Sequence, residues 1–355
     1  MKIIVNLLFR LLFLLLIYFT ACDDDNPVKS NDPCGYNVYF HDYRYPQKCF
    51  VYNTHNQSID SFYLPVDPVR DIVVSARGDL MYVPSENKVT VVELSRYSVV
   101  TELPYDGVND IAVSPDGEMV AMQGSKLYIL RTDSYHIIYQ DSVVTMDGHF
   151  SSDSEFFYYA GSGGWPSLAY RLNLKTFEIT SKDFSNNFYE ASVGRVAPSI
   201  DDRLWFAYFS MPPLPNENFW FAVYDPATDR VIYADNQRPG RGNIAVSPDG
   251  KYAFYTNPGG TIIQDYPPPC SFRVYDIESN TLFKEISTVL NFDDTLTVYF
   301  PTEEICVTPD SKWLVGLTWG YDEIIVVNLE TMEVEKKIAL GGTRSLSGLT
   351  CQLIE

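Results

Sequence analysis

Seven polar residues recur at one place in this 355-residue sequence: Asp71, Asp110, Asp147, Arg195, Asn243, Glu304 and Ser347. The first six each stand four residues ahead of a Ser- or Thr-led turn, such as Ser114-Pro115-Asp116-Gly117. Ser347 takes the seventh place when Cys351 is set on the same landmark. Four carboxylates and one guanidinium around a common axis could hold a cation or a polar ligand, and any acid–base chemistry would rest on them. A wet channel rim also needs polar residues, and that plainer account carries more weight. Other catalytic signals are missing. There is no G-x-S-x-G elbow, H-E-x-x-H, P-loop or C-x-x-C. His41, His55, His136 and His149 lack metal-ligand spacing. His41 and His149 fall nearest the rim, and a hydrogen-bonded structural role is the simpler reading for them. No catalytic residue, metal or cofactor is assigned.

These residues are placed by a repeated strand unit, clearest at Asn243–Ile286. Strands are expected at Asn243–Val246 and Lys251–Tyr255 around Ser247-Pro248-Asp249-Gly250, then at Phe272–Tyr275 and Thr281–Ile286 around Asp276–Asn280. Pro presets φ and Gly supplies φ > 0 in the first turn, while Asp and Asn bond their own backbone in the second. One such unit leaves two sheet faces and two edges open, so it needs neighbours.

The first turn recurs at Ser75, Ser114, Ser151, Ser199, Ser247 and Thr308. The second landmark recurs at Asn53, Glu93, Arg131, Asn173, Asp225, Asp276 and Asn328, and the residue six later is apolar every time. The N-terminal copy, from Tyr36, lacks its first strand, and the stretch Gly348–Ile354 is one strand left over. A circular array behaves this way when its last strand completes its first blade. The expectation is an all-β, seven-bladed β-propeller over residues 35–355, closed by a C-terminal strand. Composition agrees: 26 Tyr, 21 Phe, 22 Pro and 20 Gly, with no long amphipathic helical run. A formal charge of −20 argues against a phosphate-binding surface, so no nucleic-acid partner is expected.

Before the repeats, Lys2 precedes an apolar run, Leu11–Ile17, that ends in Phe19-Thr20-Ala21-Cys22 and is followed by Asp23-Asp24-Asp25. This reads as a secretion signal rather than a spanning helix. The cysteine at the junction resembles a bacterial lipoprotein signal, which implies removal of residues 1–21, lipidation of Cys22 and attachment to a membrane. Phe19 departs from the usual Leu, and an ordinary signal peptide or anchor is the alternative. The acidic run resembles the surface-export signal of Bacteroidota lipoproteins, which implies the outer membrane, facing the cell surface or the periplasm. Residues 22–34 then form a lipidated flexible tether. The repeats themselves resemble the YVTN or YncE-like propeller family, whose units carry the same SPDG and VYD-type turns. That resemblance covers residues 36–355 and implies fold well and activity poorly, because propellers host lactonases, quinoprotein dehydrogenases, binders and scaffolds.

In propellers the first strand of a blade lines the channel from the top, so both landmark turns fall on the bottom, which looks uniform. The long insertions share the other face: 160–167, 209–218, 256–270 and 318–322 within blades, 185–193, 234–242 and 287–302 between them, and 41–48 in the first blade. One-sided insertions mark a binding face. They carry Trp165, Tyr189, Phe209, Tyr266, Phe300, Trp319 and Tyr321 with Arg238 and Arg241, suited to aromatic packing and to pairing with carboxylate or phosphate. Aromatics packed under their own loops are the alternative. Among the cysteines, Cys34 and Cys351 should meet at the closure and form a disulfide worth on the order of 5 kcal/mol in the loop-entropy model. Cys49 lies too far from Cys34 to bond with it, and Cys306 is expected only as a buried small residue. The functional expectation is a monomeric, lipid-anchored propeller that binds a small nutrient-like ligand or an envelope protein on its looped face. The alternatives are a channel-mouth enzyme of lactonase or quinoprotein-dehydrogenase type, and an envelope scaffold.

Overall fold

The computed structural model describes residues 36–42, 45–68, 72–143, 145–161, 168–185, 192–210, 219–237, 243–257, 271–287, 290–292, 296–298, 302–318, 323–339 and 346–353. Within them the chain forms seven four-stranded antiparallel sheets and one two-stranded ribbon, with no helix. The sheets are the blades of a β-propeller. Blade 1 takes Tyr36–Asp42, Tyr45–Asn53 and Ile59–Tyr63 from the N-terminal side and Leu346–Leu353 as its innermost strand. The closing strand runs antiparallel to Tyr36–Asp42, with Tyr36 opposite Leu353 and Val38 opposite Cys351. Blades 2 to 7 follow in chain order, with inner strands Val73–Val74, Val108–Val113, Thr145–Phe150, Ser192–Pro198, Ile244–Val246 and Thr302–Val307. The 287–302 insertion, expected as a loop, contains the ribbon Leu290–Phe292 paired with Leu296–Val298.

The recurrent Ser or Thr of the first turn has a specific task. In all six copies its hydroxyl oxygen accepts the amide of the residue five later, at 2.8 to 3.1 Å. In Ser114, Ser151, Ser199 and Thr308 the hydroxyl also donates to the Asp two residues on, at 2.5 to 2.7 Å. The residue three after the landmark is left-handed in every copy: Gly78, Gly117, Ser154, Asp202, Gly250 and Ser311. Glycine takes that conformation without steric cost, which explains the SPDG form. In the second turn the left-handed residue stands four after the landmark in all seven blades: Gln57, Tyr97, Tyr135, Phe177, Asp229, Asn280 and Met332. The side-chain oxygens of Asn53, Asn173, Asp225, Asp276 and Asn328 hold this turn by accepting amides two or three residues on.

The core lies between blades. Tyr158 of blade 4 packs edge-on against Trp205 of blade 5, and Phe221 of blade 5 stacks on Tyr255 of blade 6 with centroids 3.9 Å apart. Such pairs add about 0.5–1.5 kcal/mol beyond the area they bury. At the closure, Val38 and Phe40 of blade 1 share a cluster with Val315 and Leu317 of blade 7.

One cysteine expectation is corrected. Cys306 packs against that closure cluster, and it is disulfide-bonded rather than a plain buried residue. Cys49 is buried and free, and burial pushes its thiol up. Cys34, and the side chain of Cys351, lie outside the described residues, and so does the expected pairing between them.

Candidate functional site

The rim positions sit where the inner strands break register. Slips occur between Val108 and Asp110, Met146 and His149, Val193 and Arg195, and Thr302 and Glu304. The closing strand slips at the same level, where it faces Tyr39 and His41. A bulge adds an unpaired residue and re-aims the side chains beside it. Sequence spacing located the rim residues but gave no sign of these bulges, because an inserted residue is seen only against its partner strand.

Of the rim set, Asp110, Arg195, Asn243 and Glu304 are half-buried. The Asp110 carboxylate accepts the Ile111 amide at 2.9 Å through Oδ1 and the Gln123 carboxamide at 2.8 Å through Oδ2. Gln123 is fully buried, and its Oε1 accepts the amide of Gly148 at 2.8 Å. One side chain thus ties the rim of blade 3 to the bulge of blade 4. Gly148 is required there, because a Cβ would come within 2.5 Å of both Gln123 Oε1 and the Phe157 ring. Asn243 is used in the same way: Oδ1 accepts the Ile244 amide at 2.8 Å, and the Asn243 amide donates to Thr256 Oγ1 at 2.9 Å. These bonds show that at least part of the rim polarity shapes strand ends. Beside them, burial of its imidazole and the Arg195 guanidinium hold His149 down at about 4, so it is neutral near pH 7. Asp71 and the side chains of Asp147 and Ser347 lie outside the described residues.

A second polar group sits at the seam of blades 5 and 6. Arg273 donates to Asp235 at 2.5 Å, and both side chains are 8 % exposed. Its other terminal nitrogen reaches Glu285 at 3.2 Å. The Tyr255 hydroxyl donates to Asp235, and Ser271 Oγ donates to Glu285 at 2.6 Å. Burial and the Asp235 charge push the Tyr255 phenol far up, so it stays protonated as a donor. Every member lies within two residues of a strand end that leads to an insertion: Asp235 before 238–242, Tyr255 and Arg273 on either side of 258–270, and Glu285 before 288–289. The sequence held a signal for this group. Arg273 is a charge in the middle of Ser271–Asp276, a strand buried in all but its last residue, Asp276.

Trp165, Tyr189, Arg238, Arg241, Tyr266, Phe300, Trp319 and Tyr321 lie outside the described residues, as does Cys22. Among the described residues no cluster of His, Cys, Asp and Glu is arranged to hold a metal, and no helix is long and apolar enough to cross a membrane.

No protein-family model matches the chain, and no curated protein matches it. Solved structures do. Kuenenia stuttgartiensis hydrazine synthase aligns with a TM-score of 0.58 at 16 % identity, over 76 % of this chain and 81 % of that one. Dihydro-heme d1 dehydrogenase NirN, in complex with DHE, aligns with a TM-score of 0.57 at 14 % identity, over 93 % and 78 %. The Myceliophteria thermophila Cps50 (Swd1) β-propeller domain aligns with a TM-score of 0.58 at 9 % identity, over 78 % and 88 %. At these identities the likeness concerns the fold alone: the chain is a seven-bladed β-propeller whose neighbours include enzymes.

Proposed function

We propose that this chain is an exported, lipid-anchored propeller that binds a small nutrient-like ligand on its looped face. The supporting observation is the contrast between the two ends of its blades. The bottom turns repeat one hydrogen-bonding scheme, whereas the strand ends that feed the 238–242 and 258–270 insertions rest on the buried Asp235–Arg273 pair, which the exposed Glu285 extends. A buried ion pair is a poor way to gain stability, but it fixes geometry at a site. The cysteine-junction signal, the acidic run after Cys22 and the aromatic and Arg-rich insertions support the same reading. An envelope protein is the alternative occupant of that face.

The test is a thermal-shift screen of nutrients and glycans, with an envelope-extract pull-down beside it. A saturable shift that Trp319→Ala abolishes, with the fold intact by circular dichroism, supports the small-ligand reading. Protein capture with no shift transfers the face to a partner, and silence in both removes the reading.

A second reading, a channel-mouth enzyme, draws on the juxtaposition of neutral His149 with Arg195 beside the Asp110 rim, and on the enzymes among the fold neighbours. A hydrolysis screen with and without divalent metal addresses it. Activity indifferent to Asp110→Asn and Glu304→Gln would remove the rim as its site.

A further inference from the structure

Two innermost strands carry a cysteine each, Cys306 in Thr302–Val307 and Cys351 in Leu346–Leu353. The strand register sets both positions against one seam. In blade 3 the first-turn landmark Ser114 bonds Met119, which stands opposite Arg131 of the second turn. In blade 1 the residue opposite Asn53 is Asn37, and Asn37 pairs with Gln352 of the closing strand. Gln352 therefore takes the landmark position that spacing alone gave to Cys351, and Cys351 stands one residue before it. Cys306 stands two before its own landmark, Thr308.

Those two positions meet across the seams of other blades. Val73 and Val113 share one core cluster, as do Ala112 and Phe150, Ala197 and Val246, and Ala245 and Val307. Each pair joins the residue two before the landmark of one blade to the residue one before the landmark of the next. At the seam of blades 7 and 1 the same pair is Cys306 and Cys351. Cys306 packs in the cluster to which blade 1 contributes Val38 and Phe40, and it is disulfide-bonded. Cys49 is free. Cys270 adjoins Ser271, three residues along the strand from Val274, which lies at the level matching Cys306. That is about 10 Å along the strand, whereas a disulfide needs Cα atoms within about 7 Å. We infer that Cys306 bonds Cys351, so that the innermost strands of blades 7 and 1 are joined covalently. The bond forms by exchange, as the two thiols hand two electrons and two protons to another disulfide, which leaves as two thiols. In blades 2 to 7 a first turn ties the innermost strand to the second. Blade 1 draws these two strands from opposite ends of the sequence, so no turn joins them. The disulfide supplies a covalent hold near the level of that missing turn, and it stands independently of any ligand on the looped face.

Peptide mapping of the full chain, purified from its native source without reductant and alkylated before digestion, tests the pairing. Trypsin puts every cysteine on its own peptide, and 285–312 joined to 345–355 is expected, with Cys34 alkylated. Cys306→Ala, Cys351→Ala and the double variant should lower the melting temperature equally, on the order of 5 °C, because each removes the same bond. Reductant should bring the unaltered protein to that value and leave the variants unmoved, while Cys34→Ala should change nothing. A cross-link from Cys306 to Cys22, Cys34 or Cys270, alkylation of both Cys306 and Cys351, or additive losses in the double variant would overturn the assignment.

Discussion

Arg273 and Asp235 form an ion pair across the seam of blades 5 and 6, 2.5 Å apart and almost wholly out of solvent. Their neighbours complete the arrangement, since Tyr255 donates to the same carboxylate and Glu285 takes the other end of the guanidinium. Two charges removed from water cost more than they return unless both stay paired, so deleting one partner strands the other. Arg273→Met should therefore lower the denaturation free energy by about 3–5 kcal/mol. The combined Arg273→Met and Asp235→Leu variant should recover much of that loss. Urea titrations of the two variants check the coupling. Equal, additive losses would mean the pair is only two separate surface contacts.

Asp202 supplies a pH-dependent test of the seam between blades 4 and 5. It occupies a left-handed turn position that glycine holds in three other blades. Burial and the nearby Asp153 charge push its carboxyl up to about 6, although Arg171 lies 3.4 Å away. A folded-state value above the unfolded one means that folding favours the protonated acid. That stabilisation is complete below the ordinary carboxylate value of about 4 and is lost as pH rises through 6. Asp202→Asn should abolish this step and gain about 1 kcal/mol near pH 7, after allowance for partial exposure. Melting temperatures from pH 4 to 7 would show it as a flatter profile. A variant that loses stability at pH 7 would show that the Arg171 contact outweighs burial.

How far these features could be read beforehand depends on their range along the chain. The turn at Ser247 was legible because its bonds close within five residues, and the ring closure followed from counting copies. Gln123 was invisible, since its partners Asp110 and Gly148 lie on a different strand and a different blade. Arg273 was an unused signal: a charge in the middle of an apolar strand demands a buried partner, but only the three-dimensional seam shows that the partner is Asp235. The cleft between the first turns of blades 2 and 3, lined by Ala76 and Gly117, went unseen for the opposite reason. Ala76 and Gly117 are unremarkable in their own turns, and the space arises only where the two turns face each other.

The Gln123 bridge gives a sharper test of what the rim does. Gly148→Ala places a methyl against the Phe157 ring and the Tyr158 carbonyl, which lie 2.5 and 2.8 Å from an added Cβ. Overpacking of this kind costs about 1–3 kcal/mol. Gln123→Leu instead leaves the Asp110 carboxylate and the Gly148 amide short of a partner, at about 1–3 kcal/mol by desolvation. If the rim only shapes strand ends, both variants should lower stability and leave ligand binding by the surviving fold unchanged. A change in ligand affinity at matched folded fraction would instead give the rim a direct part in recognition.

The cysteines bear on the compartment in which the protein resides. Cys306 is disulfide-bonded beside the closure, whereas Cys49 is fully buried and free, its thiol held protonated by desolvation. Persistent disulfides belong to oxidising compartments, so this bond accords with export. Peptide mapping of the protein purified from its native source without reductant should recover Cys306 in a cross-linked peptide. Cys49 should be alkylated only after denaturation. The partner found for Cys306 also decides the expected Cys34–Cys351 link. Cys351 faces Val38 in the closing strand, and Val38 shares a core cluster with the residues around Cys306. A Cys306–Cys351 peptide would thus move the latch from within blade 1 to between blades 7 and 1, where it would join the ring covalently. Recovery of Cys306 as a free thiol would remove its bond and the support that bond lends to export, and would leave Cys34–Cys351 as the latch to look for.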